Sequence, residues 1–231
     1  MKVVLCTPTV DRPRQACLDA VEGSVPALDA AGIEHSIVYK IGWPYISHAR
    51  AEMLRQAMST DADAVVFIDH DLSWRPEDIV ALIQTEGDVV AGTYRFKKPD
   101  VEYMGTWMCH GDGRPMVRES DGALRADCVP AGFLKITRDA VRKFMRAYPE
   151  LTYGDPVCPS IDLFNHGAWE GVWWGEDYAF CRRWKGCGGE VWLVPDMNIT
   201  HHGQSDEDIF PGNLHEWLQC LPGGSNYDPE T

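Results

Sequence analysis

Long apolar runs, paired cysteine motifs and an excess of basic charge are what this sequence lacks. No run in its 231 residues approaches the length needed to span a bilayer. Basic residues are scarce: 21 Lys plus Arg stand against 35 Asp plus Glu, a formal charge of -14. That balance repels the phosphate backbone that dominates nucleic-acid affinity, which excludes a broad nucleic-acid face but not a local basic groove. The eight cysteines form no CxxC pair, and several sit in apolar segments. This is the pattern of buried thiols in a reducing cytoplasm, not of a disulfide framework or a structural zinc site. The first residues lack the regions of a signal peptide, so a cytoplasmic location is expected. Internal repeats and low-complexity tracts are absent. What remains is a 45% hydrophobic chain able to build a large core. The expected organisation is one domain over residues 1–203 and a tail over 204–231 that holds a short helix and a disordered end.

The first half alternates strand-like and helical patterns, which predicts βαβ units feeding a largely parallel sheet. Strands are expected over residues 2–9, 34–41, 64–69 and 88–94. The helix over 14–30 carries a break near Pro26, and Ser47 is placed as the N-cap of a helix ending at Met58. Pro76, Glu77 and Asp78 open a third helix that Gly87 ends. Residues 101–136 read as β-hairpin material with turns at Gly111-Asp112-Gly113 and Asp121-Gly122, and Thr137 caps the helix after them. Residues 148–175, rich in Pro, Gly and aromatics, read as a long functional loop. A helix over 176–185, a strand over 190–194 and a helix over 214–221 complete the pattern.

Four constellations carry chemistry. Asp69-His70-Asp71 follows the apolar run Val65-Val66-Phe67-Ile68, and ligands of open α/β sheets bind beyond the carboxyl ends of strands. Two carboxylates there suit Mg2+ or Mn2+ bridging to phosphates, against the alternative of a solvated turn. Arg50 shares a helical stripe with Met53, Leu54 and Ala57, so its guanidinium points inward and needs a carboxylate or a phosphate. Glu176-Asp177 opens a helix that ends in Arg182 and Arg183, which fits either a helix dipole satisfied at both ends or a general base. In His201-His202-Gly203 the two rings point to opposite sides of an extended chain, so at most one can join a metal site. Trp169, Trp173 and Trp174 precede Glu176 without core periodicity, and such rings either stack on ligands or pin the loop.

In this order along the chain the motifs resemble the GT-A glycosyltransferases, close to family-2-like phage and bacterial members. The match runs through Thr7-Pro8-Thr9, Ala49-Arg50, the DxD strand, Val89-Val90-Ala91-Gly92-Thr93-Tyr94, Ala131-Gly132-Phe133-Leu134, Gly175-Glu176-Asp177 and His201-His202-Gly203. The resemblance implies a single Rossmann-like α/β domain with a mixed sheet flanked by helices. It also implies a metal-dependent transferase that moves a sugar from a nucleotide diphosphate donor such as a UDP- or GDP-sugar to an acceptor hydroxyl; single displacement with inversion is the expected mechanism, and the sequence leaves retention open. By the same resemblance Thr7, Pro8 and Thr9 line the nucleotide pocket, toward which Arg50 could offer its guanidinium to a donor phosphate. Asp69 meets ribose or metal, Asp71 is the main metal carboxylate, and His201, two residues before Gly203, is the late ligand. Asp177 is the base with Glu176 as the next candidate; Trp173 and Trp174 are expected to face the acceptor because their loop precedes that base and lies away from the nucleotide strands. The sequence departs from the usual pattern in having His70 inside the DxD.

A saccharide or small-molecule acceptor ranks above hydroxymethylated DNA bases because of the overall acidity, although Arg95, Lys97 and Lys98 form a basic cluster. A nucleotidyltransferase of the same fold lacks support, since no glycine-rich loop follows the first strand. A catalytically silent carbohydrate- or nucleotide-binding relative is the remaining alternative.

Overall fold

The computed structural model describes residues 1–221. Its elements run β1 (Lys2–Thr9), α1 (Gln15–Ala30), β2 (Glu34–Ile41), α2 (Ile46–Met58), β3 (Ala64–Ile68), β4 (Leu72–Ser73), α3 (Pro76–Gln84) and β5 (Val89–Gly92). Then follow β6 (Thr106–Trp107), β7 (Leu124–Cys128), β8 (Phe133–Thr137), α4 (Arg138–Ala147), β9 (Thr152–Tyr153), β10 (Ser160–Ile161), β11 (Gly167–Trp169) and β12 (Val172–Trp174). The chain continues through α5 (Glu176–Gly186), β13 (Val191–Val194), β14 (Ile199–His202), β15 (Ile209–Gly212) and α6 (Leu214–Cys220).

Eight strands form one mixed sheet in the order β2-β1-β3-β8-β5-β13-β7-β6. The β2-β1-β3 and β5-β13 pairs are parallel, while β8 lies antiparallel between β3 and β5. Strands covered on both faces read as continuous apolar runs, and successive side chains of β3 divide between two cores. Val65 and Phe67 join Met53 and Leu54 of α2, Phe144 of α4 and Phe180 of α5. Val66 and Ile68 join Val21 and Leu28 of α1 and Ile79 and Leu82 of α3. The helices therefore sandwich the sheet, and the carboxyl ends of β1 and β3 open at one edge of that sandwich.

Local expectations fail where tertiary packing decides. Ser47 lies inside α2, whose N-cap is Tyr45 without a side-chain cap bond. Helix α1 runs through Pro26 unbroken, its buried stripe Cys17, Val21, Ser24 and Leu28 holding it to the sheet. Helix α3 stops at Gln84, three residues before Gly87. At its start the Asp78 carboxylate accepts from the Arg75 N–H at 2.9 Å, and Thr137 caps α4 by accepting from the Ala140 N–H. Residues 148–175 hold two small hairpins, β9-β10 and β11-β12, and not a structureless loop. Within the expected hairpin region, residues 133–137 instead fill the centre of the main sheet. After Gly203, β15 pairs with β14 and α6 buries Leu214 and Leu218. The expected disordered end lies outside the described residues.

Candidate functional site

Arg50 organises the carboxyl end of β3. Its place on the buried stripe of α2 leaves it 2% exposed, and a charge so buried needs partners. One guanidinium nitrogen donates to Asp69 Oδ1 at 2.9 Å and another to Glu176 Oε1 at 3.0 Å. One side chain from α2 thus clamps the end of β3 to the first turn of α5. The Asp69 Oδ2 accepts from the Tyr94 hydroxyl at 3.3 Å, and the Asp69 N–H donates to the Gly132 carbonyl at 2.8 Å. A side chain on Gly132 would overlap both Asp69 and Tyr94. The fit around Asp69 therefore requires glycine before β8.

Asp71 belongs to a second group. The Lys97 ammonium donates to its Oδ2, and His201 Nε2 lies 3.6 Å from the same oxygen. His201 Nδ1 sits 2.8 Å from the Arg95 carbonyl, which fixes a proton on Nδ1 and leaves Nε2 toward Asp71. Burial pushes the Asp71 carboxyl up, but the His201 ring and the Lys97 ammonium outweigh it and hold the group well below the usual carboxylate range. His202 turns the other way, with Nε2 2.8 Å from the Ser73 hydroxyl.

Tyr94 stands between the groups. Its ring meets the His201 ring edge-on, with centroids 4.9 Å apart. Burial, and then the charge of Asp69, push its phenol well above the ordinary value, with Asp71 and Asp177 adding to the effect. The buried tyrosine thus sits in a field of negative charge, with Asp69 in direct contact. Asp177 itself, in the first turn of α5, accepts from the Tyr178 N–H at 2.8 Å. A helix N-terminus ordinarily favours a carboxylate. Here burial and the neighbouring Glu176 charge win, and the carboxyl is pushed up to about 6.

The other expected residues fall as follows. Thr7 and Thr9 are buried at the end of β1, and the Thr9 hydroxyl has no protein partner. Pro8 lies between them, paired with Lys40 of β2. Trp173 is 70% exposed on β12. Trp174 differs, since its Nε1 donates to the Trp169 carbonyl at 3.2 Å and the Arg182 guanidinium stacks over both rings at 4.5 and 4.7 Å. Asp69, Asp71 and His201 do not form one cluster of three, and among the described residues no three His, Cys, Asp or Glu side chains do. The close pair is Asp71 with His201, an oxygen and an imidazole donor that suit Mn2+ with other ligands completing the shell. Sequence reasoning passed over Tyr94 and Lys97 as site residues. Their signal was position: one closes the segment after β5, the other begins the basic pair beyond it.

No protein-family profile matches the sequence, and no curated protein does. Among solved structures, GalNAc-T7 with UDP, GalNAc and Mn2+ aligns at 11% identity over 88% of this chain and 44% of its own, with a TM-score of 0.50. TarS 1-349 from S. aureus aligns at 12% identity over 84% and 58%, with a TM-score of 0.46. The inositol-1-phosphate CTP transferase from T. maritima aligns at 9% identity over 88% and 90%, with a TM-score of 0.43. The chain spans less than two-thirds of the first two. Likeness at such identity is likeness of fold. With its mixed eight-stranded sheet and an alignment to a GT-A enzyme over 88% of its length, the chain has the GT-A fold.

Proposed function

We propose that this chain is a metal-dependent glycosyltransferase that moves a sugar from a UDP- or GDP-sugar onto the hydroxyl of a saccharide or small molecule, with inversion. The observation that carries the reading is the Arg50 clamp. It ties Asp69, at the end of β3, to Glu176 in the first turn of α5, the turn that also carries Asp177, a carboxyl pushed up to about 6.

Asp71 and His201 would hold Mn2+ or Mg2+, which supplies positive charge to the leaving diphosphate. Asp69, with both oxygens engaged by Arg50 and Tyr94, positions the donor side and does not ligate the ion. The unpartnered Thr9 hydroxyl and its neighbours Thr7 and Pro8 line the nucleotide end. Glu176 is held by Arg50, so the proton acceptor is Asp177. Its value near 6 leaves it mostly ionised at neutral pH yet basic enough to take the acceptor proton as the hydroxyl attacks the anomeric carbon. Single displacement at that carbon gives inversion. Trp173, exposed on β12 with the His166 ring edge-on to it, offers its open face to the acceptor.

Asp177→Asn tests this reading. It preserves shape and removes proton acceptance, so transfer should fall by ~10²–10⁴ while donor binding persists. Wild-type rate at saturating donor should rise with pH through an apparent value near 6, and the variant should lose that limb. The sign for stability is opposite to that of an ordinary salt-bridged carboxylate. The folded value is raised, so ionisation is disfavoured in the fold and stability declines as pH rises from the unfolded carboxylate value of about 3.9. The variant should therefore melt at or above the wild-type temperature at pH 8 and lose that advantage in acid. Retention of most of the turnover would remove Asp177 from the mechanism.

A further inference from the structure

Lys97 is exposed along its stem, but its ammonium sits on Asp71 Oδ2, the oxygen that also faces His201 Nε2 at 3.6 Å. With Nδ1 bound to the Arg95 carbonyl, the His201 ring is held with Nε2 toward that same oxygen. The Asp71 side chain is only 13% exposed, and a carboxylate so buried needs a cation beside it. The lysine supplies it.

The turn that carries Lys97 is held in place on both sides. The Arg95 guanidinium donates to the Pro99 carbonyl at 3.1 Å and to the Pro211 carbonyl at 3.4 Å, reaching from the turn to β15. The Phe96 N–H donates to the Glu102 carbonyl at 3.0 Å, and the Lys98 N–H to the Phe96 carbonyl at 2.8 Å. Arg95 thus orients the imidazole through its carbonyl and the lysine's turn through its guanidinium. A lysine ammonium is a compact point charge on a flexible stem. It can leave Asp71 without disturbing the turn.

We propose that Lys97 is the resident counter-ion of the Asp71–His201 pair, an internal cation that a divalent ion must displace in order to bind. The inference rests on the reading of Asp71 and His201 as the metal pair. It adds that metal affinity in this chain is set by competition with its own lysine. Replacing Lys97 by a neutral residue of similar length removes the competitor and leaves the oxygen and nitrogen donors in place. Replacing it by arginine keeps the charge.

The test uses the full chain and Mn2+ alone, without nucleotide, with free Mn2+ read from its electron paramagnetic resonance. Thermal melts check that each variant is folded. Lys97→Gln should bind Mn2+ roughly tenfold more tightly than the wild type, Lys97→Arg should stay near it, and Asp71→Asn should lose binding. Wild-type or weaker affinity in Lys97→Gln, with Asp71→Asn still defective, overturns the counter-ion role and leaves the metal pair standing. Undetectable binding in every protein, or undiminished binding in Asp71→Asn, removes the metal pair itself and the inference with it.

Discussion

Arg50 is where the structural and functional readings of a single residue can be separated. A buried arginine that joins two carboxylates offsets its own desolvation only through both contacts. Its pairing favours the charged form despite burial, since Asp69 and then Glu176 outweigh the desolvation that would lower it. Arg50→Met removes the charge and keeps most of the volume, leaving Asp69 and Glu176 without their shared partner. Both carboxylates are more than a quarter exposed, so the loss should fall at the low end for a broken buried pair, about 3 kcal/mol in denaturant unfolding. Arg50→Lys should rescue little, because a single ammonium cannot fork between two carboxylates. If Arg50→Met unfolds like the wild type, the clamp does not hold β3 to α5, and the placement of Asp177 must have another cause. The inward direction of Arg50 was legible from its spacing to Met53, Leu54 and Ala57. Its second partner was not, since no local pattern brings residue 176 to residue 50.

The β11-β12 hairpin and α5 behave as one element. Arg182, one helical turn or so beyond Asp177, stacks on Trp169 and Trp174 and pairs with Glu170, so the hairpin is fastened to the helix that carries the proposed base. This divides two tryptophans that the sequence treats alike. Trp174→Ala should lower stability by about 1–2 kcal/mol through loss of the guanidinium stack and its hydrogen bond. Trp173→Ala should leave the melting temperature unchanged and weaken acceptor use by the equivalent of about 1–3 kcal/mol if the ring stacks on the acceptor. A matching loss of donor affinity in Trp173→Ala would move that ring to the nucleotide end. The aromatic richness of this region was visible from residues alone, but strands of three residues have too short an alternation to be read. Their pairing is set by Gly171 at positive φ in the turn and by Arg182 outside the hairpin.

At the scale of the molecule, the βαβ order of the first half was legible because each strand is an apolar run and each helix an amphipathic one. The position of β8 was not. Five buried or half-buried residues specify a central strand without naming its neighbours, and its antiparallel insertion between β3 and β5 is a long-range choice. That insertion brings Gly132 against Asp69, so the geometry at Asp69 depends on a segment more than sixty residues away. The same scale governs donor binding. A chain with a formal charge of -14 repels an anionic diphosphate as a whole, and the cations at the strand end, Arg50 and Lys97, are already engaged by Asp69 and Asp71. Nucleoside diphosphate binding should therefore need a divalent ion. With Mn2+ present and UDP or GDP at about 100 times its dissociation constant, stabilisation of ~2.7 kcal/mol is expected, a melting shift of roughly 5–10 °C for a chain of this size. The shift should vanish in EDTA and in Asp71→Ala. Lys97, freed by that substitution, is a single charge and should not replace the ion. An equal shift in EDTA, or in Asp71→Ala with Mn2+, would mean that the diphosphate is held by side chains alone and that the strand-end carboxylates do not act through a metal.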